Sequence, residues 1–356
     1  MIDFYLFTSV FLISLFIIFL LIQAASKIDW LIHKSDSYGI QKFHVEPTPS
    51  IGGLSVFLAF SFGLWSIDEK SSILVFFWLT SLPVFLAGLI EDITLGVPPI
   101  WRLFFTFISI LIAYIWMEVS INSLGFSWID GLLFDYPALS LILTLLVVGG
   151  AVNSLNIIDG FNGLLGGYSI LASLAIAYVS YSLGDEMIMQ LSLILTAAVL
   201  GFFIFNFPFG KIFMGDGGAY FIGIILAIIG LMLVDRHVEL SNWFVLLIFI
   251  YPMYELLYSI YRRKIIHKTD ATQPDSEHMH SLIYRKLISC DRFKHDKVIC
   301  NSMVSPFLWL LSLVGIIPAV VWYNDQILLI IFTFVFMLIY TVIYKLISSD
   351  GIKFNK

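Results

Sequence analysis

The chain has 356 residues, 60% of them hydrophobic and only 12% charged, with a formal net charge of −6. Ordinary soluble domains carry roughly 25% charged residues, so a soluble globular enzyme is excluded. The charge total says little about partners, because in a membrane protein the side that each charge occupies is what counts.

Apolar runs of about 17 to 25 residues recur along the whole length, each long enough to cross a hydrocarbon core of roughly 30 Å as a helix. A transmembrane barrel would alternate apolar and polar residues instead. The spans fall at about 4–24, 51–67, 72–90, 101–119, 136–152, 164–182, 188–206, 219–234, 242–261, 303–323 and 327–345. The first follows no basic stretch, only Asp3, and is too long for a signal-peptide core, so it reads as a retained helix.

When the loops are assigned alternately to the two sides, every Lys and Arg except Lys70 and Arg236 falls on one side. That side is expected to be cytoplasmic. The expected fold is an all-α polytopic integral membrane protein of about eleven transmembrane helices, with the N-terminus outside and the C-terminus in the cytoplasm. Residues 1–356 form one transmembrane domain, and 260–302 form its long cytoplasmic loop. Cys290 and Cys300 lie in that loop, where thiols stay reduced, so no disulfide is expected.

The polar motifs share one side as well. In chain order they are "KFHVEPTPSIGG" (42–53), "GLIEDITLGVPPIWR" (88–102), "NSLNIIDGFNG" (153–163), "GKIFMGDGGAYFIG" (210–223) and "QPDSEHMHSLIYRK" (273–286). Lys42 opens the first. In the second, the adjacent carboxylates Glu91 and Asp92 stand at a span end, where desolvation and mutual repulsion suit one of them to act as a base. A solvated helix end is the plainer reading.

Asp159 is flanked by Asn153, Asn156 and Asn162, an oxygen-rich set that suits a hard cation such as Mg2+. A polar cap with an Asx turn would use the same residues. Asp216 sits in a glycine turn before a helix, where free backbone N–H groups would face a phosphate while the carboxylate holds a metal. His278 and His280 stand near Asp275, Arg285 and Lys286 and would donate to a pyrophosphate. A zinc site built from these histidines with Cys290, His295 and Cys300 fits no usual spacing. Glu255 lies inside a span about two turns before Arg262, and a carboxylate at that depth has a partner or a function. Pairing with a basic neighbour is the plainer account.

Together these motifs resemble the polyprenyl-phosphate N-acetylhexosamine-1-phosphate transferases. The resemblance runs from about Lys42 to Lys286 and keeps the family's motif order. "PTPSIGG" is similar to its Pro-x-Pro-x-x-Gly-Gly loop, "NSLNIIDGFNG" to Asn-x-x-Asn-x-x-Asp-Gly, "FMGDGG" to its Phe-Met-Gly-Asp turn and "PDSEHMH" to Pro-Asp-x-x-His-x-His. Glu91-Asp92 replaces the family's Asp-Asp, Asn162 stands where many members have Asp, and Ser281 replaces a third histidine. The last departure, with the missing Lys-rich pattern after Asp92, points away from the muramoyl-pentapeptide branch.

The resemblance implies transfer of a sugar-1-phosphate from a UDP-N-acetylhexosamine to undecaprenyl phosphate, releasing UMP. This would be the first step of a cell-surface polysaccharide such as an O-antigen, at the cytoplasmic face of a bacterial inner membrane. It implies Mg2+, with Mn2+ as the alternative, held by Asp216 and Asn156. Asp92, Asp159, Asp216, His278 and His280 become the catalytic candidates, and Lys42, Glu91, Asn153, Asn162, Glu255, Arg262 and Arg285 the substrate-binding ones. The expected partners are the two substrates and membrane lipids, with room for a homodimer and no nucleic acid. The rival classes are a secondary transporter, which would gather its polar groups at mid-bilayer, and a non-catalytic member of the same fold.

Overall fold

The computed structural model describes residues 4–25, 27, 48–67, 72–268, 277–286, 288 and 297–349. Among them there is no strand. The helices are α1 (Phe4–Ala25), α2 (Gly53–Ser66), α3 (Ser72–Thr94), α4 (Pro99–Met117), α5 (Ser127–Asp135), α6 (Pro137–Ile158), α7 (Leu164–Leu183), α8 (Glu186–Asn206), α9 (Gly215–Arg236), α10 (Asn242–Ile248), α11 (Ile250–Tyr261), α12 (Met279–Lys286), α13 (Lys297–Ser302), α14 (Val304–Val321) and α15 (Gln326–Ser349). A π-helical turn, Arg262–His267, continues α11.

A helix stands at each of the eleven expected places. By length and composition nine are fit to cross a membrane, and a tenth if α10 and α11 count as one span broken by a 71° bend. The eleventh, α2, has 14 residues, about 21 Å at the helical rise and short of a full hydrocarbon core. The expected count of eleven therefore merges a short helix with full spans, because an apolar run read as sequence carries no information on where its helix starts.

Local chemistry sets the ends. Pro99 and Pro137 open α4 and α6 at the position where a missing N–H costs nothing. The Asp185 side chain caps α8 by accepting from Ile188 N–H at 3.1 Å. Pro83 sits inside α3, and the neighbouring Val84 N–H donates to Ser109 Oγ on α4 at 3.2 Å.

Helix α9 is the axis of the molecule, with 94% of its apolar window buried, against 17% for α1 and 28% for α15. Backbones touch where it meets its neighbours. A Cβ added at Gly88 of α3 would lie 2.5 Å from Gly217 Cα, and one at Gly53 of α2 would lie 2.2 Å from Gly218 Cα. Small residues at such crossings allow the closest helix approach available. One layer deeper, Phe57 stacks on Phe85 at 4.1 Å, and Phe221 of α9 meets both edge-on.

The helix ends sort into two sets. At one end of the bundle, α2 begins against the turn before α9 (Gly52 N–H to Phe213 O, 2.9 Å), α7 begins against α8 (Gly163 N–H to Asn206 Oδ1, 2.6 Å), and α14 begins against the α6–α7 turn (Ser305 Oγ to Asn162 O). At the other end, Ser140 of α6 donates to Ile121 O, Arg236 of α9 reaches Asp185, and Gln326 of α15 donates to Gly125 O. Cys300 is disulfide-bonded, against the expectation of reduced thiols. That expectation rested on compartment alone, which says nothing of the distance between side chains. Cys290 lies outside the described residues.

Candidate active site

The crossing of α3 over α9 brings a carboxylate to a helix start. One turn beyond Gly88, Asp92 turns toward α9 and accepts from two of the free N–H groups of its first turn, Oδ1 from Asp216 N at 2.8 Å and Oδ2 from Gly217 N at 2.9 Å. The sequence left those N–H groups free to face a phosphate; in the structure Asp92 takes them. Glu91 points elsewhere and accepts from Val97 N–H at 2.7 Å, closing the turn between α3 and α4.

Asp216, on the first turn of α9, gathers two further helices. Its Oδ1 accepts from Asn156 Nδ2 of α6 at 2.7 Å, and its Oδ2 is ion-paired with Arg102 of α4. Tyr220, one turn along α9, donates to Asn156 Oδ1 at 3.5 Å. Asp159 caps the end of α6 and is half-buried. Burial, together with the Asp216 and Asp92 charges, holds its carboxyl well above the usual carboxylate range, although a hydrogen bond from the Gly215 backbone works the other way.

Three carboxylates from three helix ends thus share one small volume, and Arg102 is ion-paired with one of them, Asp216. Sequence reading did not single out Arg102 or Tyr220. A lone arginine in the first turn of a span was the available signal for the former.

The histidines approach from α12. His280 packs on Phe161, ring centroids 5.3 Å apart, and its Nε2 would lie 3.3 Å from a Cβ at Gly160, the residue after Asp159. His278 stacks on His280 with centroids 5.2 Å apart. Glu255 is 1% exposed and accepts from His278 Nδ1 at 2.9 Å, from Met279 N–H at 3.1 Å and from Tyr340 O–H at 2.6 Å. Its partner is therefore a histidine and not Arg262, which donates to Glu277 O and Tyr344 Oη and is ion-paired with the Glu277 carboxylate.

The other candidates spread out. Asn153 Nδ2 donates to Gly149 O of its own helix. Asn162 is buried and knits the turn to α13 and α14 through Asn301, Ser302 and Ser305. Arg285 is exposed, its Nε donating to Ser281 O at 3.3 Å. Lys42 and Asp275 lie outside the described residues.

Among the described residues no three His, Cys, Asp or Glu side chains already surround one point as a metal cage. Mg2+ does not need one, since it commonly takes one or two carboxylates and fills its octahedron with water and substrate phosphate. Asp216 and Asn156, already bonded to each other, fit that role by donor type. Arg102 Nε is buried with no partner, an N–H left for an anion.

A family model described as glycosyl transferase family 4 matches residues 74–234. A probable undecaprenyl-phosphate N-acetylglucosaminyl 1-phosphate transferase of Bacillus subtilis is 25% identical over 352 residues, covering 97% of this chain and 94% of its own length. An undecaprenyl-phosphate alpha-N-acetylglucosaminyl 1-phosphate transferase of Thermotoga maritima is 27% identical over 276 residues, 78% of this chain and 80% of its own. A phospho-N-acetylmuramoyl-pentapeptide-transferase of Dictyoglomus thermophilum reaches 30% over 187 residues, but only 51% of this chain and 58% of its own.

Proposed function

The chain belongs to glycosyl transferase family 4, and we propose that it transfers N-acetylhexosamine-1-phosphate from a UDP-sugar to undecaprenyl phosphate. An oxygen of the lipid phosphate attacks the β-phosphorus of the donor, the bond to the bridging oxygen breaks, and UMP leaves with that oxygen. The observation that carries this reading is the convergence of Asp92, Asp159 and Asp216 with Asn156 and Arg102 at one set of helix ends. Polar groups placed at the bundle's end, and not at its middle, suit a soluble donor meeting a lipid phosphate and do not suit a transporter.

The roles follow from the contacts. Asp216 and Asn156 would hold Mg2+, which supplies charge neutralisation on the diphosphate when bound. Asp159, at the end of α6 beside the Asp216 and Asp92 charges that raise its proton affinity, would take a proton from the lipid phosphate. Of the two adjacent carboxylates suited by sequence to act as a base, Asp92 has both oxygens occupied by the α9 backbone and is better assigned to fixing Asp216 in place. Arg102 offers guanidinium donors to phosphate oxygens, and His278 and His280, carried by α12 with His280 beside Gly160, would bind the diphosphate.

The test is purified protein with undecaprenyl phosphate, Mg2+ and a panel of UDP-GlcNAc, UDP-GalNAc and their 6-deoxy variants. Release of UMP with formation of a lipid-linked sugar is expected for at least one donor. No UMP from any of them would overturn the reading. A surface polysaccharide, and not peptidoglycan, is the proposed destination, supported by the shorter stretch shared with the pentapeptide transferase.

A further inference from the structure

Glu255 is a carboxyl group 1% exposed inside the bundle, and its oxygens are spoken for by groups of this chain. Oε2 accepts from Tyr340, itself fully buried; Oε1 accepts from His278 Nδ1 and from Met279 N–H, in the first turn of α12. Nothing about this arrangement presents Glu255 to a substrate. It presents His278 instead. An ionised carboxylate is an acceptor only, so the ring nitrogen facing it is the protonated Nδ1, and Nε2 is left as the working nitrogen.

The same carboxylate holds the helix that carries the ring. With the Met279 N–H and the His278 ring on one oxygen, both the position of α12 and the rotation of the imidazole are set by one buried group. Contacts run from there to the carboxylates: the His278 ring lies on His280, and His280 lies on Gly160 and Phe161, directly after Asp159. Tyr254 and Tyr258 pack edge-on against Tyr340, so the brace on the far oxygen is itself confined.

We propose that Glu255 is a positioning residue, which fixes the tautomer and orientation of His278 for the donor's diphosphate without touching either substrate. The inference rests on the transfer reaction proposed above. Carboxylates that orient a working imidazole, where they have been measured at metal centres, are worth about 10- to 100-fold.

The experiment is a double-mutant cycle with a spectroscopic arm. Glu255→Gln keeps shape and an acceptor for Met279 N–H but removes the charge. It is expected to lower kcat about 10- to 100-fold while KM for donor and lipid stays within about twofold. In a His278→Asn background the same change should cost no more than about twofold, because two residues acting as one unit are not additive. Nitrogen-15 spectra of histidine-labelled protein, with the His278 signal assigned by its loss in His278→Asn, should show Nδ1 protonated in the wild type and a tautomer mixture in Glu255→Gln. Tyr340→Phe, which leaves the His278 contact in place, should shift the tautomer less.

A normal kcat in folded Glu255→Gln overturns the proposal. So does a rise in one KM with kcat unchanged, which would make Glu255 a substrate contact, and so does an equal loss in both backgrounds. If the wild type transfers nothing from any donor, the proposed reaction fails, and the tautomer spectra alone decide on Glu255.

Discussion

Asp92 and Glu91 are neighbours in sequence with different partners, because successive side chains on a helix point about 100° apart. Asp92→Asn keeps one carbonyl oxygen for two backbone N–H groups and presents an NH2 group to the other. Leaving one buried N–H unpaired costs about 1–3 kcal/mol, so a lower Tm should accompany a loss of transfer. Glu91→Gln retains an oxygen for Val97 N–H, and both Tm and turnover should stay close to wild type. Equal Tm losses in the two variants would contradict the hydrogen-bond assignment. Asp216→Asn is expected to abolish transfer in a folded protein and to weaken Mn2+ binding, measured directly by paramagnetic resonance, since an amide is a poor ligand for a hard cation. The types of these residues were legible in the sequence. What each one faces was not, because Asp92 and Asp216 are brought together by a glycine crossing whose partner lies far along the chain, and Arg102 gained its meaning only from that crossing.

The crossings themselves can be tested element by element. Gly88→Ala pushes a methyl group into the α9 backbone, an overpacking that typically costs 1–3 kcal/mol and here also displaces Asp92, so turnover should fall with Tm. Gly131→Ala, in α5 with nothing within 4 Å of the new methyl group, should leave both unchanged or slightly raise Tm. At the far end of the bundle Asp185 ties the start of α8 to the end of α9. Burial alone would raise its carboxyl, but the Ile188 N–H, Arg236 and His237 outweigh it and hold the group below the usual carboxylate range. A depressed folded value means that the contribution is present above the unfolded carboxylate range near 3.9 and is lost as pH falls through the folded value. A plot of Tm against pH should therefore drop more steeply on the acid side in wild type than in Asp185→Asn. The sequence predicted a span at about 188–206 from its apolar length, but nothing in it showed that Asp185 would cap the helix or that Arg236 and His237 would join it.

Across the whole molecule, the helix ends fall into two sets, and which set faces the cytoplasm is the expectation drawn from Lys and Arg. A reporter fused after Lys356 should read cytoplasmic and one inserted in the loop at Asp185 exterior; the reverse result would put the carboxylate cluster on the side without nucleotide sugars. The eleven helical places were legible because apolar length is a one-dimensional signal. The 71° break between α10 and α11, the shortness of α2 and the helix carrying the histidines were not, since each depends on what packs against it. The two walls of the site also differ in how they are built. Asp216 is seated by backbone against backbone, through Gly88, Gly217, Gly53 and Gly218, and by main-chain N–H groups on Asp92. His278 is seated mainly by side chains, Glu255 and behind it Tyr340. A wall of the first kind admits almost no single substitution, whereas one of the second kind is retuned by exchanging one residue at a time. Descendants of this chain that adopt a new donor sugar should therefore record the change on the histidine wall while the carboxylate wall stays as it is.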